Sequence, residues 1–306
     1  GHILGSASVS LKITKDNGEV VMVGFTGDIG RPNRPILRDP LPMPLCDYLI
    51  TESTYGARLH QSNIDSEERL LQIISETCVE NRGTLIIPAF SVGRTQEIVH
   101  ILDNLESYGK LPRLPIFVDS PLAINATQIF QAHPECFDED LMNYMIFDED
   151  PFGFNRLHYI RQKIHSKKIN TFEQPCVIIS ASGMASAGRV KHHIFHRISN
   201  PNTTVLLVGY CSPNTLGAQL RRGEKSVYIF GQLKEVQARI ETMDTFSAHG
   251  DQQEMLDFLA NQDRQKVQKV FLVHGEYETQ ITFQETLKKS GFKQVDIPML
   301  GETFSL

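Results

Sequence analysis

The feature that most restricts this chain is a series of short, uninterrupted apolar runs rich in Val and Ile. Residues 84–90, 114–119, 176–180, 203–208 and 227–230 are such runs, with helical patterns among them. A strand with one wet face alternates apolar and polar residues. A run without alternation is covered on both faces, as in parallel sheets flanked by helices. The intervening segments agree. Residues 65–81 repeat Leu70, Ile73, Ile74, Thr77 and Cys78 at helical spacing, with Gly83 just beyond, and residues 93–105 predict a second helix. The pattern therefore predicts an α/β protein.

The two ends carry further signals. Residues 9–13 and 20–25 flank Asp16-Asn17-Gly18, which predicts a hairpin, and residues 47–51 read as a buried strand leading into Glu52. The tail predicts strands at 236–242, 270–273 and 295–297 and helices at 252–261 and 279–289. Residues 130–165 are less regular. They read as helices and a long surface excursion, in which Phe137, Tyr144, Phe147, Phe152 and Phe154 lie among the acidic clusters 138–140 and 148–150. These aromatics and Tyr55 offer either stacking faces for bases or core packing.

Composition excludes several classes. The 306 residues carry a formal net charge of −6, which argues against nucleic-acid binding through a broad basic surface and leaves room for a local cationic site. No run approaches the ~18 apolar residues of a membrane-spanning helix, and no secretory signal is apparent, so no membrane partner is expected. The five cysteines are scattered without a Cys-x-x-Cys pair, which predicts neither a disulfide framework nor a cysteine zinc site and suits a reducing cytoplasm.

The residues with chemical potential sit where apolar strands meet glycine. They are His2 in Gly1–Gly5, Asp28 after Thr26-Gly27, Glu52 in Thr51–Gly56, His249 in Ser247–Gly250, and His274 before Gly275-Glu276. Strand ends followed by glycine turns let distant side chains converge on one sheet edge, and imidazole with carboxylate suits zinc or another borderline divalent ion. Each segment alone is more often a turn or a core histidine than a ligand; the fivefold recurrence favours a metal site. His192-His193-x-x-His196 falls on a predicted helix and reads as a solvated basic face.

In order along the chain, His2–Ala7, Phe25–Arg31 (FTGDIGR), Thr51–Gly56 (TESTYG), Ile179–Met184 (ISASGM), Gly209–Cys211 (GYC), Phe246–His249 (FSAH) and Val273–Glu276 (VHGE) resemble the β-CASP group of metallo-β-lactamase-fold ribonucleases. That group includes the endonuclease subunit of pre-mRNA cleavage and polyadenylation. The stretch 30–40 looks more like a prokaryotic member. The resemblance covers essentially the whole chain and implies the C-terminal part of an αββα metallo-β-lactamase domain with an inserted α/β β-CASP domain. The implied boundaries are 1–56 and 236–306 for the metallo-β-lactamase part and 57–235 for the insert.

The resemblance also implies roles. His2 and His274 would each bind one zinc and Asp28 would bridge the two, while Glu52 would orient His249 against the scissile phosphate. His274 points to RNA, because DNA-repair members of the group typically carry a non-ligating residue there. The implied activity is two-zinc hydrolysis of single-stranded RNA in the cleft between the domains; a homodimer is compatible with it. Softer candidates for substrate contact are Ser180, Ser182 and Gly183 as a phosphate-cradling turn, with Arg94 and Ser247.

The group's first aspartate motif and its His-x-His-x-Asp-His motif do not occur in these 306 residues. The expectation is therefore a C-terminal fragment, inactive by itself, of a zinc ribonuclease. The alternative is a catalytically inactive RNA-binding or scaffold homologue.

Overall fold

A computed structural model describes residues 1–60, 66–243 and 246–305. They form two compact units: Gly1–His60 with Ala248–Leu306, and Gln61–Ser247. The first unit opens with β1 (Val9–Thr14) and β2 (Val20–Phe25), paired antiparallel from Val9↔Phe25 to Thr14↔Val20. The predicted turn closes them, with Gly18 at φ 83°. β3 (Tyr48–Glu52) then pairs parallel with β2.

The second unit alternates strands and helices as the apolar runs predict. α1 (Ser66–Ile74) continues into a π-helical turn, Ser75–Glu80; Asp65, the expected helix start, lies outside the described residues. β4 (Thr84–Pro88), α2 (Arg94–Ser107), β5 (Ile116–Val118) and α3 (Pro121–Ala132) follow. Next come α4 (Glu139–Tyr144), β6 (Leu157–Tyr159), α5 (Lys163–Asn170), β7 (Cys176–Ser180) and α6 (Gly188–Arg197). β8 (Thr203–Leu207), α7 (Leu216–Arg221), the hairpin β9 (Ser226–Ile229) and β10 (Gln232–Glu235), and β11 (Arg239–Thr242) complete the unit.

Six of these strands form one sheet, in the order β11-β8-β4-β7-β5-β6, and every pairing is parallel. β4, β7 and β8 are buried along their full length, which is why their sequences do not alternate. Val190 and Ile194 of α6, with Val227 and Ile229 of the hairpin, pack into the core of this unit. Because β11 pairs with β8, this unit runs on past Glu235, where the expected insert ends.

Much of the stretch 130–165 lies at the surface as expected, with Phe147 exposed, but some of its aromatics turn inward. Phe130, Phe137 and Phe152 are buried and meet edge to face, with ring centroids 6.1 and 6.2 Å apart. They pack the core and offer bases no stacking face. Part of the acidic cluster acts locally: the Asp138 carboxylate accepts the Leu141 N–H at 2.7 Å and caps α4.

The chain then returns to the first unit through α8 (Gln252–Phe258), β12 (Lys269–Val273), α9 (Tyr277–Lys289) and β13 (Val295–Asp296). Asp251 and Glu254 form a reciprocal capping box at the start of α8. β12 inserts parallel between β3 and β13, giving a five-stranded sheet in the order β1-β2-β3-β12-β13. Leu49, Val270, Leu272, Met255, Phe283 and Leu287 form the core between this sheet and its helices. At the far edge all six residues of β1 are exposed, Val9, Leu11 and Ile13 among them.

Candidate active site

In the first unit β2, β3 and β12 lie side by side and parallel, so their carboxyl ends share one edge. Parallel sheets gather functional side chains at that edge. Asp28 follows β2 after Thr26-Gly27, Glu52 is the last residue of β3, and His274 follows β12 directly. Two further segments arrive from outside the sheet. The loop carrying His249 is tied down by an antiparallel bridge to Gly30 and by the Gly250 N–H donating to the Ile29 carbonyl at 2.8 Å. His2 crosses Gly30 so closely that a Cβ there would lie 1.9 Å from the His2 nitrogen. Glycine at 30 is therefore a condition for His2 to be present.

Asp28 stands between two imidazoles. Its Oδ2 is 3.4 Å from His2 Nε2 and its Oδ1 3.4 Å from His274 Nε2. The His249 ring lies 4.4 Å from that of His2 and 5.6 Å from that of His274, centroid to centroid. One ligating atom each of His2, Asp28 and His249 lies within 4.8 Å of the other two. His274 holds its place with a left-handed backbone, φ 49°; its carbonyl accepts the Ser53 N–H and the Thr54 hydroxyl, each at 3.2 Å.

Glu52 is 1% exposed and fully engaged. One carboxylate oxygen accepts the Ile29 N–H, the other the Thr54 N–H at 3.3 Å, and His249 Nδ1 donates across both at 3.1 and 3.0 Å. Burial alone would raise its pKa, but the His249 contact and these hydrogen bonds outweigh it and hold the carboxyl below its ordinary range. An ionised Glu52 keeps the proton on Nδ1, so ligation or proton transfer by His249 falls to Nε2. His2 is pulled below the usual histidine value, first by burial and then by His249, with Asp28 and Glu52 opposing. It is thereby kept as the neutral imidazole that ligation needs.

Neutral imidazole and carboxylate converging without a thiolate fit zinc or a similar borderline ion. His60 was not expected here. Its Nε2 donates to the His249 carbonyl at 3.1 Å, its N–H donates to Asp251 at 2.8 Å, and its ring lies 4.7 Å from that of Tyr55. A lone histidine after Leu59, without a glycine or a strand beside it, carries no sequence signal. Tyr55, 2% exposed, packs beneath this layer and offers no face to a base.

The other candidates belong to the second unit. Ser180 ends β7 and its buried hydroxyl donates to the Asp119 carbonyl at 2.7 Å. The Ser182 N–H is spent on the Ala187 carbonyl at 3.2 Å, and a Cβ on Gly183 would sit 2.7 Å from the Phe90 ring. Arg94 is buried at the start of α2, paired with Glu97 and lying over the Phe246 ring; Ser247 is buried as well. Under this loop lies a network that the sequence did not suggest. The fully buried Asp119 carboxylate accepts from Ser166 at 2.6 Å and from His193 and Arg189 at 2.7 Å.

The fold and the histidine–carboxylate edge define a metallohydrolase-type α/β protein. Residues 95–220 match the Beta-Casp domain model and residues 234–298 the Zn-dependent metallo-hydrolase RNA specificity domain model. The chain is 32% identical over 303 residues to a ribonuclease of Thermus thermophilus, covering 99% of this chain and 67% of that protein. It is 32% identical over 304 residues to an RNase J-like protein of Methanocaldococcus jannaschii, covering 98% and 68%. With the cleavage and polyadenylation specificity factor 73 of Drosophila melanogaster it shares 30% over 279 residues, 90% of this chain and 39% of that protein. The chain belongs to the β-CASP family of metallo-β-lactamase-fold proteins. It spans about two thirds of the first two relatives.

Proposed function

We propose that the protein hydrolyses phosphodiester bonds of single-stranded RNA, with His2, Asp28 and His274 holding zinc and His249 acting on the scissile phosphate. The observation that carries this reading is the Glu52–His249 pair beside an aspartate flanked by two histidines. Two zinc ions, when bound, supply water activation and stabilisation of charge on the phosphoryl oxygens. The chain's own part is positional and protonic. Glu52 orients His249 through Nδ1 and stabilises its charged form. Nε2 then donates a proton to the leaving 3′ oxygen as the P–O3′ bond breaks and the oxygen of the attacking water, which gives up one proton to solvent, bonds to phosphorus.

The group's His-x-His-x-Asp-His motif is not among these 306 residues, so this reading assigns cleavage to a protein that carries those ligands as well. The test uses the protein in its complete natural length and 5′-labelled single-stranded RNA. Wild type cleaves; His249→Ala lowers the rate by about 10²–10⁴-fold while zinc content, read by plasma mass spectrometry, stays within a factor of two. Glu52→Gln lowers the rate similarly and shifts the pH profile. Undiminished cleavage by His249→Ala, or a wild type without bound zinc, refutes the reading.

A further inference from the structure

Resting on that reading of the chain as an RNA-cleaving protein, we propose that α5, α6 and the β9–β10 hairpin, which contain none of the histidine–carboxylate residues, form a further binding site for single-stranded RNA. In a chain of net charge −6, residues 161–200 hold seven Lys and Arg against a single carboxylate, Glu173. Two of the seven turn inward: Arg189 to Asp119 and Arg197 to Thr84 and the carbonyls of Ile169 and Phe172. Lys163 and Lys167, one turn apart on α5, are exposed, and Lys191 and His192 lie on the neighbouring α6.

The hairpin adds an aromatic surface to these cations. Its turn, Phe230-Gly231, has both residues at positive φ, 52° and 77°, and lays Phe230 against α6. The Phe230 ring lies 4.6 Å from that of His192, with Lys191 Nζ 4.9 Å over it, and the residue remains 48% exposed. Lys234, on β10, places its Nζ 4.7 Å over Phe195. The local field is cationic throughout: burial lowers the pKa of His192, and His193, Lys163, Lys191 and Lys167 lower it further. His196 is lowered by burial, then by His192, His193, Lys234 and Arg197. No carboxylate is among the leading influences on either ring.

Ammonium groups around a half-exposed ring suit a polyanion whose planar bases are unpaired. Lysine meets phosphate as a point charge, without register, and an aromatic face takes any base. An acidic peptide would use the charges and leave the ring idle; a duplex keeps its bases stacked away from it.

The experiment uses the protein in its complete natural length, a fluorescein-labelled 30-nucleotide oligouridylate, and anisotropy in a chelator-containing buffer over a salt series. Lys163→Glu/Lys167→Glu/Lys191→Glu raises Kd at least tenfold and lowers the log–log salt slope by about 2, at about 0.7 for each phosphate no longer neutralised. Phe230→Ala weakens binding several-fold and leaves the slope unchanged. Lys288→Glu/Lys289→Glu, exposed on α9, binds as wild type does. Wild-type Kd and slope in the triple variant overturn the proposal, as does equal weakening in the α9 control or equal displacement of RNA by polyglutamate. Cleavage by wild type is measured in parallel with zinc. If it is absent while the triple variant loses binding, the catalytic reading fails and this site stands; cleavage with unchanged triple-variant binding overturns this site alone.

Discussion

Replacing Asp119 by Asn changes one atom in the second unit and should cost far more than its size suggests. The carboxylate has no solvent exposure and accepts three hydrogen bonds, from Ser166 Oγ at 2.6 Å, His193 Nε2 at 2.7 Å and Arg189 Nη1 at 2.7 Å. An amide must turn its NH2 toward one of these donors and leaves the Arg189 guanidinium without its counter-charge. Arg189 is partly exposed and keeps its bonds to the Ile160 and Arg161 carbonyls, so the cost is that of a lost charged acceptor and a mismatched donor, about 1.5–3 kcal/mol. Ser166→Ala, which deletes a single donor to a charged acceptor, should cost about 1.5–3 kcal/mol. Burial opposes ionisation of Asp119, but the His193, Ser166 and Arg189 contacts outweigh it, so its folded pKa lies below the ordinary 3.8. Stability from this group is therefore complete above that ordinary value and is lost as pH falls through the folded pKa, so the variant's deficit narrows in acid. The chain has no tryptophan, so urea unfolding is followed by far-UV circular dichroism at pH 7 and pH 3. A deficit under 1 kcal/mol at pH 7, or one that widens at pH 3, would refute the argument.

Two further outcomes can be checked. Asp103, buried on α2, has its pKa raised to about 7 by burial first and by Asp148, Asp150 and Glu106, with the Tyr144 hydroxyl at 2.8 Å opposing. A raised carboxyl favours folding in acid and penalises it as pH climbs from about 4 to about 7. Asp103→Asn should thus leave stability at pH 4 unchanged and add about 2–4 kcal/mol at pH 8, read by urea unfolding; no gain at pH 8 would contradict it. Gly30→Ala places a Cβ 1.9 Å from the His2 nitrogen and 2.5 Å from the Gly1 carbonyl carbon, so His2 must move. Zinc affinity by chelator competition should fall at least tenfold; an unchanged affinity would show that His2 is not a ligand.

Much of the fold could be read from the chain because periodicity is local. The non-alternating runs at β4, β7 and β8 became strands buried on both faces, and Asp16-Asn17-Gly18 closed the first hairpin. β6 escaped notice: three residues, the middle one exposed, are too few to show a period, and the parallel neighbour β5 makes Leu157–Tyr159 a strand. Within 130–165 only the fold decides which phenylalanines turn inward: Phe137 and Phe152 are buried, while Phe147 is exposed. His2, Asp28, His249 and His274, each next to a glycine, and Glu52, four residues before Gly56, stood out because an apolar run meets a glycine turn there, a pattern written within a few residues.

How these segments act on one another arose only with assembly of the sheets. The resemblance implies that Glu52 orients His249, but local pattern alone does not; the contact with a ring 197 residues away follows from β12 entering beside β3 and from the Gly30–His249 bridge. The same holds for Asp119, an ordinary residue at the end of β5 until Ser166, Arg189 and His193 arrive from two later helices. Backbone preference and burial period are legible in the order of residues, because they depend on neighbours along the chain. Ionisation, tautomer and ligand geometry depend on neighbours in space, and those exist only once the tertiary structure has formed.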